Sequence, residues 1–134
     1  VNISVDAANT ILTPVSAGEL IDKITILEIK AERINDADKH ANIARELAGL
    51  MAVAAPLMAA HAGLDALKGQ LRQINQRMWD IQDGLRAHEA AQDFGADFIT
   101  LARGVYQTNG ERVALKSEIN RLLGSSLVEE KQYA

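Results

Sequence analysis

Apolar residues recur at alternating spacings of three and four in three stretches of this chain. The longest set is Leu64, Leu67, Leu71, Ile74, Met78, Ile81 and Leu85; the others are Leu20, Ile24, Leu27, Ala31 and Ile34, and Leu115, Ile119 and Leu122. That rhythm puts each set on one face of an α-helix. It predicts an all-α protein of antiparallel helical hairpins in a four-helix-bundle-like domain, with short extended segments at both ends.

Local signals set the expected boundaries. Ile3 and Val5 alternate with Asn2 and Ser4, which suits a brief strand that Pro14 ends. Ser16 followed by Glu19 predicts a capping box, with Val15 and Leu20 as its hydrophobic staple. The first helix should then run to about Ile34. Asn35, Asp36 and Asp38 offer turn and N-cap chemistry for a second helix carrying Ile43, Leu47, Leu50 and Ala54. Pro56 is expected to kink or end it, with residues 55–63 as a connector. A third helix spans about Leu64–Ala90 and a fourth about Asp97–Leu123, stopped by Gly124. Leu127–Val128 is a candidate to extend and pair with the N-terminal strand. The third helix would be roughly 40 Å long, whereas a chain of this size has a radius of gyration of about 14 Å. A dimer is therefore expected to cover its far side, with Trp79 as an interface anchor.

Composition narrows the picture. The 134 residues, read as one domain over 1–134, are 48% hydrophobic but only 4% aromatic, so aliphatic side chains and alanine must fill the core. The net charge is −4, from 14 basic and 18 acidic residues, which argues against nucleic acid as a partner. There is no cysteine, so thiolate catalysis and cysteine-held metals are excluded. No apolar run approaches a bilayer's width and Val1–Pro14 has no basic leader, so the expectation is a cytoplasmic protein with no membrane partner.

One irregularity bears on chemistry. Continued past Phe98, Leu101 and Val105, the fourth helix's seam lands on Thr108 and Arg112 before recovering at Leu115. Arg103, Tyr106, Asn109, Lys116 and Asn120 lie nearby. A buried guanidinium needs a carboxylate or an anionic ligand. Asp80 and Asp83, three apart on the third helix, and Asp22, Glu28 and Glu32 beside the first seam are the candidate partners. Alternatively Asn109–Gly110, a turn dipeptide, breaks the helix and leaves a polar loop.

Other constellations are poor. His40, His61 and His88 are scattered, with no metal-ligand spacing, and no cofactor is called for. Ser125–Ser126 follows a glycine but lacks a nucleophile elbow.

The stretch from Pro14 through Gly18-Glu19-Leu20-Ile21-Asp22-Lys23 to Lys30 resembles the opening of a bacterial family of small proteins of unknown function. Met78–Asp83, Phe98–Tyr106 and Leu123–Lys131 are similar to that family's later blocks. The resemblance implies a bacterial origin and places Asp22, Lys23, Trp79, Asp83, Arg103, Tyr106, Asn109, Arg112, Lys116 and Asn120 within shared blocks. A fainter likeness, Ile21-Asp22 with Ile24, Leu27 and Arg33, is similar to the first helix of the all-α chorismate mutases. There Lys39 and Arg45–Glu46 fall near ligand-binding groups, but Gly18–Glu19 stands where that family has an arginine.

Two functions follow as expectations. One is an interaction or assembly module working as a homodimer. The other is a small-anion-binding protein or enzyme using Arg103, Tyr106, Arg112 and Lys116, with Asp22 or Asp83 as acid–base groups.

Overall fold

The apolar seams face largely inward in the computed structural model, which describes residues 4–5, 9–125 and 130, although Leu122 at the end of the last seam is 39% exposed. In chain order the elements are β1 (Ser4–Val5), β2 (Ile11–Leu12), α1 (Ala17–Arg33), α2 (Ala37–Ala60), α3 (Leu64–Ala91) and α4 (Ala96–Leu123). The four helices pack into an all-α, bundle-like domain. The strands form a small antiparallel pair, with Ser4 opposite Leu12 and Val5 opposite Ile11. Ile11–Leu12 is thus a partner of Ser4–Val5; the other expected partner, Leu127–Val128, lies outside the described residues.

α1 is the hub, packing against all three other helices. Leu20, Ile21 and Ile24 meet Ala54, Leu64, Leu71 and Ile119 around one core, and Leu27 and Ile29 are buried further along the helix. Burying side chains of this size is worth about 1.5–3 kcal/mol each. The Ser16 hydroxyl caps α1 by accepting from the Glu19 amide at 3.1 Å. The capping box and staple differ from expectation. The Glu19 carboxylate turns to Lys116, and Val15 stays 54% exposed while Leu20 enters the core.

α2 starts at Asp36, whose carboxylate accepts from the Lys39 amide at 3.0 Å. It does not stop or yield to a connector at Pro56 but runs on to Ala60, leaving only residues 61–63 before α3. Proline leaves the carbonyl four residues back without its usual donor. Here that residue is Ala52, and both Ala52 and Pro56 lie on the exposed side, where water can serve the carbonyl. The expectation of no membrane-length helix is also corrected. By length and composition alone α2 is long and apolar enough to cross a membrane.

α3 and α4 form the most intimate pair. They turn through Gln92, which takes a left-handed conformation (φ 54°), and the His88 ring lies 3.0 Å from the Asp93 carbonyl. Phe94 and Phe98 meet edge to face at 5.2 Å. α4 is continuous through Asn109–Gly110, so the reading with a break there falls away. Thr108, Arg112, Lys116 and Asn120 therefore share one side of it, at four-residue spacing.

Candidate functional site

Where α4's seam turns polar, α1 turns polar to meet it. Arg112 Nε donates to Asp22 Oδ1 at 2.9 Å and Nη2 donates to Oδ2 at 2.5 Å. This is the two-pronged guanidinium–carboxylate geometry that gives strong, oriented hydrogen bonds. Asp22 is only 2% exposed. Asn75, on α3, completes its shell: Nδ2 donates to Asp22 Oδ1 and to Thr25 Oγ1, both at 2.9 Å. The Thr25 hydroxyl in turn donates to the Asp22 carbonyl at 2.7 Å. A single carboxylate thus ties three helices together.

The pairing continues as an antiparallel ladder. One turn beyond Arg112, Lys116 Nζ reaches Glu19 Oε1 at 2.7 Å. One further turn on, Asn120 Oδ1 accepts from the Gly18 amide at 2.7 Å. A Cβ at position 18 would come within 2.5 Å of the Lys116 carbonyl oxygen, so only glycine lets α1 and α4 close to this distance. Asn120 Nδ2 is buried and makes no hydrogen bond among the described residues.

The structure brings together only part of the expected set. Asp22, Arg112, Lys116 and Asn120 converge. Asp80 does not join them: it pairs with Arg33 at 2.5 Å on the exposed side. Asp83 pairs with Arg86, one turn along its own helix. Arg103 is exposed, Tyr106 is 66% exposed and Asn109 is half-buried. Three-residue spacing did place Asp80 and Asp83 together, but on the outer side of α3. Glu28 and Glu32 are drawn to Lys68 and Arg72 instead. Trp79 is half-buried, with the Arg33 guanidinium 5.9 Å from its ring centre. Asn75, Thr25 and Glu19 were missed as site residues. Asn75 carried a readable signal, since it stands four positions after Leu71 on the same helical stripe.

Beside the ion pair lies a recess of ≈ 270 Å³ lined by Ile26, Ile29, Met78 and Trp79, with Asn75, Gln82, Arg86 and Arg112 as its polar members. Among the described residues no group of three or more His, Asp or Glu side chains is placed to hold a metal ion.

A second region carries no acidic or strongly basic side chain. From Leu47 to Leu64 the chain contains no Asp, Glu, Lys or Arg. The inner side of that stretch, Leu47, Leu50, Ala54, Leu57 and Met58, packs on the core. The outer side presents Ala48, Met51, Ala52, Val53, Ala55, Pro56 and Ala59 to solvent, with Met51 45% and Val53 60% exposed.

Residues 11–134 match the model of a family described only as one of unknown function, DUF6165. The chain belongs to that family. No curated protein and no solved structure matches it. Membership in DUF6165 carries no activity, so the function of this domain must be argued from its own surfaces.

Proposed function

We propose that this DUF6165 domain is a helical interaction module that pairs with a second copy of itself through the outer face of α2. The observation that carries the reading is the charge-free, solvent-facing stretch from Ala48 to Ala59. Folded soluble chains seldom leave more than a few hundred Å² of contiguous apolar surface uncovered without a use for it. The other helices cannot cover this face. α2 leans on α1, meets α3 only slightly, and has its far side turned away from the bundle.

Several features favour a second copy as the occupant. The face has no charged or hydrogen-bonding side chain to satisfy, so an identical face complements it under two-fold symmetry. Its alanines let two helix backbones approach closely, as in tight helix–helix seams. A lipid surface fits less well. Helices that lie in a membrane interface carry a basic polar face, whereas this chain has net charge −4 and α2 has only Lys39 and Arg45 as full cations. The charge-free turns from Leu47 to Ala60 span about 21 Å, which at a helix width of about 10 Å is an area of roughly 200 Å², well short of the roughly 800 Å² per partner of a standard interface. The pairing is therefore weak and concentration-dependent, and it places the contact on α2 rather than on α3 and Trp79.

Sedimentation equilibrium from 10 µM to 1 mM tests this. The wild type is expected to pass from monomer toward dimer, and Ala52→Glu to remain monomeric over the same range. A wild type that stays monomeric at 1 mM, or an Ala52→Glu variant that associates equally well, rejects the reading. So does flotation of the wild type, but not the variant, with neutral lipid vesicles in the absence of any self-association.

A further inference from the structure

We infer that the recess between α1, α3 and α4 is a binding site for a small monocarboxylate with an apolar body, its carboxylate held by Arg86. The lining has the make-up of a ligand pocket: mostly apolar walls with a few polar groups at defined places. Its volume of ≈ 270 Å³ lies just under the usual range for such pockets, which limits the ligand to a small molecule.

The polar groups are not equivalent. Asn75 and Arg112 both grip Asp22, so they lie together at the inner end. Their hydrogen bonds to that carboxylate hold them rigid, and its charge offsets that of Arg112. Arg86 stands eleven positions after Asn75 on α3, about three turns away. Among the described residues its ion-pair partner is the exposed Asp83, one turn back on the same helix. An ion pair of that kind contributes little in water and exchanges readily for another carboxylate. Gln82, one turn before Arg86 on the same side of α3, adds an amide donor. Between the two ends, Ile26, Ile29, Met78 and Trp79 offer the apolar bed.

That division selects the ligand. One exchangeable guanidinium and one amide match a single carboxylate. A phosphate dianion would ask for more donors than the outer end supplies. The apolar bed asks for a hydrocarbon or aromatic body, and Trp79 would lie directly against it. This site is separate from the α2 face, and neither depends on the other.

Trp79 is the chain's only tryptophan, so its emission reports on the recess alone. The probe is octanoate, kept below its micellar concentration, with 1-octanol supplying the body without the charge and acetate the charge without the body. Octanoate is expected to shift Trp79 emission saturably, with the helical circular dichroism unchanged. Octanol and acetate should bind at least ten times more weakly. Arg86→Gln, a change on an exposed side chain, should weaken octanoate at least tenfold and leave octanol unaltered. Arg103→Gln, on exposed surface outside the recess, should change neither. No saturable shift, equal binding of octanoate and octanol, or an Arg86→Gln variant with wild-type octanoate affinity would overturn the assignment.

Discussion

The two flanks of α1 invert the usual order of a folded chain. Against α3 and α4 it buries polar groups: Asp22, Asn75 and Thr25 are packed where a core would ordinarily be greasy, and the half-buried Arg112 closes over the Asp22 carboxylate. On its other flank it carries α2, whose outer face sets Met51, Ala52 and Val53 in water with no charge among them. Both arrangements oppose the simplest partition of polar outside and apolar inside. The difference lies in how each is compensated. The buried side is compensated within the chain, because the Asp22 carboxylate oxygens both have donors. The exposed side has no compensation within the described residues, and so it is the side that asks for a partner. An ion pair whose carboxylate is buried is itself weak support for stability, since well-packed hydrophobic side chains often do as well. What it does supply here is geometry: it sets α1, α3 and α4 in one register and fixes the inner wall of the recess.

The sharpest way to break the contrast is to remove one half of the buried pair. Arg112→Leu leaves the Asp22 carboxylate in the interior with only Asn75 donating to it. An uncompensated buried charge of this kind costs about 3–5 kcal/mol. That is a large share of the roughly 5–15 kcal/mol by which such domains are stable. Urea unfolding followed by circular dichroism should show a much lower midpoint. Asp22→Leu combined with Arg112→Leu should recover most of the loss. A single variant as stable as the wild type would mean that Asp22 is already solvated.

How much of this was readable beforehand depends on the kind of signal. The helices and most of their ends follow from the three-and-four spacing and from Ser16, Asp36 and Gly124, because periodicity and capping are local. The polar turn of the fourth seam at Thr108 and Arg112 was legible, and Asp22 was among its candidate partners. Which carboxylate wins was not. Asp80 and Asp83 satisfy the same spacing rule, and only the rotation of α3 sends them outward to Arg33 and Arg86. The α2 face was half-written in the sequence. The charge-free run from Leu47 to Leu64 is visible there, but Pro56 drew it toward a connector. That the run stays helical, and that only one side of it is covered, depends on tertiary packing.

A smaller effect separates the two flanks at their glycines. Gly18 sits where a Cβ would strike the Lys116 backbone at 2.5 Å, and backbone does not swing aside as a side-chain tip does. Gly49, on α2, has nothing within 4 Å of the same added atom. Gly18→Ala is expected to destabilise by about 1–3 kcal/mol through overpacking. Gly49→Ala should stabilise by about 0.5–1 kcal/mol through helix propensity alone. Thermal melts of the two variants, recorded side by side, should shift in opposite directions. Equal shifts would show that the α1–α4 approach is looser than the Gly18–Asn120 hydrogen bond implies.

The smallest effect is the most telling for the outer face. At protein concentrations low enough to keep the chain monomeric, Val53→Lys changes a 60% exposed position that supports nothing beneath it. Substitutions on such surfaces usually stay within about 0.5 kcal/mol of the wild type. Valine is also no better a helix former than lysine. The urea midpoint should therefore hardly move, although a lysine has replaced one of the most exposed apolar side chains on α2. A loss above about 1 kcal/mol in dilute monomer would mean that Val53 is covered within its own chain. The α2 face would then be compensated like the opposite flank, and the asymmetry that points to a partner would disappear. An unchanged midpoint leaves that face with no structural duty inside the monomer, which is what a surface kept for association requires.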